Sequence, residues 1–184
     1  MLPIYQEEQT VFRLIDIAMI TGITNYPSLN KKINYQVRTG NLLNPRKGIY
    51  TKPGYSKEEL GCKLYTPAYI SLHYVLQKAG AIFQYDPAIT LISYLNRKVE
   101  IENQPFQYRK IKSELLVNTA GIYRKSTHVN IATPERAMLD LLYLNPNAYF
   151  DSLNMLDDNE IYRLVPLYAS KALYSRVDKL LQNV

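Results

Sequence analysis

Six polar side chains recur on one side of a helical pattern at residues 27–39, and their types suit contacts to DNA. They are Ser28, Lys31, Lys32, Asn34, Tyr35 and Arg38. At about 100° per residue, Ser28, Lys31, Tyr35 and Arg38 lie opposite the apolar positions Leu29, Ile33 and Val37. Lys32 and Asn34 lie at the margins of that polar side. Lysines bind phosphates, whereas hydroxyl, amide and guanidinium groups pair with base edges in the major groove. We therefore predict that the two lysines contact phosphates and that the other four side chains read bases.

A short hairpin after this helix adds two more cations. Leu42-Leu43 and Ile49-Tyr50 are apolar pairs, and they flank the sequence NPRKG at residues 44–48. Proline and glycine between two short β-prone runs indicate a turn. We predict that Arg46 and Lys47 lie at its tip and contact the DNA backbone or an adjacent groove.

The charge pattern around these residues favours a polyanionic partner. No carboxylate occurs between Asp16 and Glu58, although several lysines and arginines do. Ordinary solvated faces mix the two signs, because Glu–Lys pairs one turn apart support a helix. A carboxylate in this interval would repel phosphate. The alternative is a basic face with no such partner, since a basic stretch alone is a weak signal.

The elements that would position these side chains form a predicted winged helix-turn-helix domain over residues 1–57. A helix with apolar spacing ends at Gly22, and a short turn leads to the helix at residues 27–39, whose N-cap is either Asn25 or Ser28. In such a pair the first helix supports the second, and the second enters the major groove of DNA. Val11-Phe12 is predicted to add a small strand beside the hairpin.

Residues 58–184 are predicted to form a second, mixed α/β domain, so that the whole chain is α+β. Strands are predicted at residues 88–94 and 104–112, with a hairpin over 122–132. Helices are predicted at residues 57–63 and 66–80, from 134 onward, and at 158–168 and 170–182. A second basic zone runs through the predicted sheet. It consists of Arg97, Lys98, Arg109, Lys110, Lys112, Arg124 and Lys125. These cations either form another nucleic-acid surface or are solvated loop charges, because Glu100, Glu102 and Glu114 are interspersed.

Composition excludes several classes of protein. The 184 residues carry a formal net charge of +6 and contain one cysteine, Cys62, which excludes an intramolecular disulfide and a multi-thiolate metal site. No apolar run approaches the ~20 residues of a membrane span, and no signal peptide is apparent. We therefore expect a cytoplasmic protein without a membrane partner, cofactor or metal.

The residues do not indicate an enzyme. Asp140 lies one helical turn after Arg136, and the spacing favours a plain helix ion pair. A metal-dependent nuclease is the competing hypothesis, built on Glu100, Glu102 and Lys110. It requires several carboxylates that converge on a cation, and the sequence places these residues in a polar, loop-like stretch.

Several segments, taken in order, resemble the AbiEi antitoxin family of type IV toxin-antitoxin systems. The most specific are AYISL at residues 68–72, ATPERA at 132–137 and LDLL at 139–142; RKGIY at 46–50 is common to many winged helices. The resemblance covers nearly the whole chain. It implies a repressor that binds inverted repeats in double-stranded DNA upstream of its own operon. It also implies a C-terminal domain that counters a co-encoded nucleotidyltransferase toxin without a stable complex. A solitary regulator with the same architecture is the alternative.

Overall fold

The computed structural model describes residues 3–182, which form eight α-helices and nine strands. The helices are α1 (Leu14–Thr21), α2 (Tyr26–Arg38), α3 (Lys57–Leu64), α4 (His73–Lys78), α5 (Ser113–Val117), α6 (Pro134–Leu144), α7 (Asp158–Leu164) and α8 (Lys171–Leu181). The strands are β1 (Val11–Arg13), β2 (Leu43–Arg46), β3 (Ile49–Thr51), β4 (Ala68–Ile70), β5 (Ile89–Ser93), β6 (Arg97–Ile101), β7 (Gln104–Lys110), β8 (Ile122–Ser126) and β9 (Val129–Ala132). The predicted α+β class is confirmed. The outermost residues of the two predicted domains, 1–2 and 183–184, lie outside the described range.

The N-terminal part packs α1 and α2 against a three-stranded antiparallel sheet of order β1-β3-β2. Glycine at position 22 adopts a left-handed conformation (φ 67°) and ends α1. The side chain of Asn25 accepts a hydrogen bond from the backbone N–H of Ser28 at 2.9 Å, so Asn25 is the N-cap of α2. A small core is fully buried between these elements. It contains Ile4, Phe12, Ile17, Leu29, Ile33 and Leu42.

The hairpin turn is tighter than the sequence predicts. Strand β2 continues to Arg46, which pairs with Ile49 of β3, so only Lys47 and Gly48 form the turn. The side-chain amide of Asn44 donates to the backbone carbonyls of Ile49 and Arg46 at 2.8 and 3.2 Å. These bonds hold residues 44–46 in the hairpin, so the predicted position of Arg46 at the tip is wrong.

The larger part of the chain is built on a six-stranded mixed sheet of order β6-β7-β5-β4-β9-β8. Strand β4 pairs in parallel with β9, and β5 pairs in parallel with β7, whereas the other neighbours are antiparallel. Helix α6 contacts α4, α7 and α8. A second, larger hydrophobic core lies among these elements. The predicted helix at 134 onward, the hairpin at 122–132 and the C-terminal helices are confirmed.

The helix predicted at residues 66–80 is wrong over its first half. Residues 68–70 form β4 instead, and α4 begins only at His73. All three residues of β4 are buried between two neighbouring strands. A short apolar run that is covered on both faces has no alternation, so its periodicity does not distinguish a strand from a helix.

Strand β6 replaces a stretch predicted to be loop-like. It lies at an edge of the larger sheet, and most of its side chains are exposed. Charged residues on an edge strand discourage pairing with other chains, which explains the polar sequence. The turn to β7 uses Glu102 and Asn103, both with positive φ (48° and 61°), as a type I′ turn requires.

The lengths of the helices show whether any of them could cross a membrane. The longest helix within residues 3–182 is α2, with 13 residues. A transmembrane helix needs about 20 apolar residues. Across residues 3–182, no helix is both long and apolar enough to cross a bilayer.

Candidate nucleic-acid interface

All six side chains predicted on the outer side of α2 are exposed. Tyr35 is the largest apolar surface among them, with 53% of its area accessible. The guanidinium carbon of Arg38 lies 5.7 Å from the centre of the Tyr35 ring, which is the distance of a cation–π contact one turn along the helix. This contact orients the guanidinium and leaves its N–H groups available for a ligand.

Helix α2 is held firmly beneath this exposed face. Leu29 and Ile33 are fully buried, and Val37 is partly buried against the same small core. At the C-terminal end, the Tyr5 hydroxyl donates to the side chain of Gln36 at 3.2 Å, and the Asn41 amide donates to the same oxygen at 3.0 Å. Because both ends and the inner face are fixed, the outer side chains share one rigid platform.

The two hairpin cations, Arg46 and Lys47, differ in burial and in contacts. Lys47 is exposed in the turn. Arg46 is half-buried; its guanidinium carbon lies 5.4 Å from the centre of the Tyr65 ring, and it donates to the Tyr65 hydroxyl at 3.1 Å. Arg46 therefore ties the hairpin to the segment after α3, whereas Lys47 is exposed in the turn.

A buried carboxylate joins the N-terminal strand to α3, and sequence reasoning missed it. Glu59 accepts hydrogen bonds from the backbone N–H groups of Thr10 and Val11 at 3.0–3.1 Å, and from the Thr10 hydroxyl at 2.5 Å. In the sequence, the only indication that Glu59 is buried is its position beside Leu60, which is itself buried. These bonds attach β1 to α3, and the outer face of α2 is exposed in the presence of the residues after 57.

The second basic zone is divided between the two edges of the larger sheet. Strands β6 and β7 carry Arg97, Lys98, Arg109 and Lys110 at one edge, whereas β8 carries Arg124 and Lys125 at the other. Lys112 follows β7 and is exposed. The seven cations therefore do not form one continuous surface.

Lys125 is engaged in an ion-pair cluster. Its ammonium lies 2.7 Å from the Glu58 carboxylate, which also pairs with Lys78 at 3.0 Å and accepts from the Tyr74 hydroxyl at 2.7 Å. Burial alone would raise the pKa of Glu58, but the hydrogen bonds from Lys125, Tyr74 and Lys78 outweigh it and lower the pKa to about 2.

The predicted helix ion pair between Arg136 and Asp140 is confirmed, and it is buried rather than exposed. Both side chains are fully inaccessible, and the Nε of Arg136 lies 3.3 Å from an Asp140 oxygen. The remaining N–H groups of Arg136 donate to the carbonyls of Ala120 and Leu115 at 2.8 and 2.9 Å. The pair thus holds α5 and the following loop against α6.

Three hydroxyls complete the shell of the Asp140 carboxylate. Tyr168 donates to one oxygen at 2.6 Å, and Tyr69 and Ser71 donate to the other at 3.0 and 2.8 Å. Burial raises the pKa of both phenols, so they keep their protons and act as donors. Because these contacts enclose the Asp140 carboxylate, it is not exposed to solvent.

The residues of the nuclease hypothesis do not converge. Glu100 is on β6 and Lys110 ends β7, whereas Glu102 lies in the turn and accepts a hydrogen bond from the Tyr55 hydroxyl at 2.7 Å. Within residues 3–182, no three His, Cys, Asp or Glu side chains are grouped closely enough to share a metal ion. Metal-assisted cleavage needs such a group, so the geometry adds nothing to this hypothesis.

Comparisons with known proteins assign no family. No family model matches the chain, and no curated protein matches its sequence. The resemblance to the AbiEi antitoxins therefore stays a prediction from the quoted segments.

Proposed function

We propose that this protein is a DNA-binding antitoxin and transcriptional autorepressor of a type IV toxin-antitoxin operon. The observation that carries the proposal is the outer face of α2, where six polar side chains are exposed together on a helix that is fixed from below. The sequence between Asp16 and Glu58 contains no carboxylate that would repel phosphate.

In the proposed complex, residues 1–57 act as a winged helix-turn-helix. Helix α2 is about 20 Å long at 1.5 Å per residue, and the major groove of B-DNA is wide enough to admit it. Helix α1 supports it against the backbone, and Lys47 in the hairpin turn contacts a phosphate. Lys31 and Lys32 bind phosphates, whereas Ser28, Asn34, Tyr35 and Arg38 face base edges.

The partners beyond DNA follow from the resemblance rather than from this surface. The operator is proposed to contain inverted repeats, and the toxin is proposed to be a nucleotidyltransferase encoded beside this chain. Residues 58–184 are assigned to neutralising that toxin without a stable complex. Co-expression tests this part: the chain is expected to restore growth of cells that produce the neighbouring toxin, and an absence of rescue would leave a solitary repressor.

Substitution of Arg38 tests the recognition surface. Arg38→Ala is expected to lose about 1–3 kcal/mol of affinity for the upstream DNA and to relax sequence preference, because a guanidinium pairs with guanine through two hydrogen bonds. Fluorescence anisotropy with the operator and a scrambled duplex measures both effects. Lys171→Ala removes an exposed cation from α8 and serves as the control. Unchanged operator binding by Arg38→Ala would contradict the proposal.

A cleavage assay separates the regulator from the nuclease hypothesis. We expect labelled DNA and RNA to stay intact when incubated with the protein and Mg²⁺ or Mn²⁺. Cleavage that the Glu102→Gln substitution abolishes would overturn the proposed function.

A further inference from the structure

A cavity of about 500 Å³ lies where the N-terminal strand meets the larger sheet, and its lining is basic. Four lining residues are Arg13, Lys63, Arg124 and His128, and none of the described lining residues is Asp or Glu. The volume falls in the range of small-molecule sites. The proposed DNA-binding face on α2 contributes no residue to this cavity.

Arg13 lines the cavity with a guanidinium group that has only one of its nitrogens in a hydrogen bond. Its Nη2 group donates to the backbone carbonyl of Lys63 and to the hydroxyl of Thr66, each at 2.6 Å. These two bonds fix the side chain but engage only one of its three nitrogens. Within residues 3–182 no carboxylate pairs with Arg13, since Asp16 pairs instead with the Lys63 ammonium at 2.9 Å.

The β8–β9 hairpin supplies Arg124 and His128 to the lining of the same cavity. The side chain of Arg124 is exposed, and it forms no hydrogen bond or ion pair with any residue from 3 to 182. His128, at the turn of the same hairpin, is half-buried and likewise has no side-chain partner in that range. Two arginines thus line one cavity without a compensating charge, which favours the binding of an anion.

We propose that this cavity binds a small phosphorylated molecule of nucleotide size. Guanidinium groups match phosphate oxygens with paired, charge-assisted hydrogen bonds, which suits Arg13 and Arg124. The hydroxyl of Thr119 also lies in the lining and is available as a further donor. Leu116 and Ile122 give the lining an apolar part, against which a base or another planar group packs.

Calorimetric titration of the full-length chain tests the site. ADP and GDP are expected to bind, and inorganic phosphate is expected to bind more weakly because it leaves the apolar wall uncovered. Arg124→Ala is expected to weaken nucleotide binding roughly tenfold or more, the effect of one charge-assisted hydrogen bond. Arg97→Ala is the matched control, since Arg97 is an exposed cation at the opposite edge of the same sheet.

A second variant separates the cavity from general electrostatics. Thr119→Trp keeps every charge but fills the lining from an exposed position, and it is expected to abolish nucleotide binding. The proposal is overturned if neither nucleotide binds, or if Arg97→Ala weakens binding as much as Arg124→Ala. Equal affinity for phosphate and nucleotide would also overturn the nucleotide assignment.

Binding assays with duplex DNA distinguish a nucleotide site from a DNA contact made by the same cations. If Arg124→Ala weakens binding to the duplex and no nucleotide binds, these cations contact DNA and the cavity proposal fails. Arg38→Ala is expected to leave nucleotide binding unchanged, so loss of the proposed DNA-binding function and loss of this site are separable results.

Discussion

Arg46 and Lys47 are adjacent cations in the hairpin, yet the structure gives them different roles. Arg46 lies against the Tyr65 ring and is half-buried, whereas Lys47 is exposed in the turn. A long side chain that packs on an aromatic ring contributes to stability through its stem as well as its charge. At the scale of single residues, charge alone therefore does not identify a phosphate contact.

Parallel substitution of the two cations tests this distinction. Lys47→Ala is expected to weaken all duplexes alike and to flatten the slope of log K against log salt by about 0.9, the value of one phosphate contact. Arg46→Ala is expected to leave that slope unchanged and to lower thermal stability. Binding titrations at several salt concentrations, with thermal unfolding of both variants, measure the effects. Equal changes in slope would contradict the separation.

At the scale of elements, one buried network decides how β4 meets α6. Asp140 on α6 accepts hydrogen bonds from Tyr69 on β4 and from Ser71 just beyond it. Arg136, one turn earlier on α6, donates to the carbonyls of Leu115 and Ala120. An uncompensated charge in such a place is costly, so each partner of the pair depends on the other.

Neutralising Asp140 tests the network. Asp140→Asn leaves Arg136 buried without its counter-charge and is expected to cost about 3–5 kcal/mol in the free energy of unfolding, measured by urea denaturation. Glu160→Gln breaks the exposed pair of Glu160 with Arg163 on α7 and serves as the control. Its effect is expected to be much smaller, because solvent screens that pair. Similar losses in both variants would show that the buried network contributes no special stability.

At the scale of the whole molecule, α3 connects the N-terminal sheet to the larger one. Two consecutive residues reach in different directions: Glu59 binds the backbone of β1, whereas Glu58 binds Lys78 on α4 and Lys125 on β8. The predicted domain boundary at residue 57 stays a prediction. The contacts of Glu58 and Glu59 join the parts of the chain on either side of this boundary.

The Glu58 cluster predicts a pH dependence. Its folded-state pKa of about 2 lies below the ordinary value of 4.5, so the ionised carboxylate stabilises the fold above pH 4.5. This contribution is expected to be lost as the pH falls from 4.5 toward 2, where the carboxylate takes up a proton. Thermal unfolding of wild type and Glu58→Gln should differ most near pH 7 and converge near pH 2. A constant difference across that range would contradict the assignment.

Most of the N-terminal fold and the helical half of the candidate interface could be predicted from the residues. Leu29 and Ile33 are buried, and the polar positions between them are exposed, as helical spacing requires. The choice of Asn25 over Ser28 as N-cap was open, because both side chains are competent acceptors at neighbouring positions. The packing of Arg46 against Tyr65 could not be predicted, because the two residues are distant in sequence.

By itself the sequence determined the features that depend on neighbours within a few residues: helical faces, helix ends and the absence of acids around α2. Only the tertiary structure decided that residues 68–70 form a central strand, that Asp140 is enclosed, and that the second basic zone is divided between two sheet edges. The physical reason is that burial and strand pairing depend on contacts between distant segments. The same side chain is a surface charge or a buried partner according to what those segments bring to it.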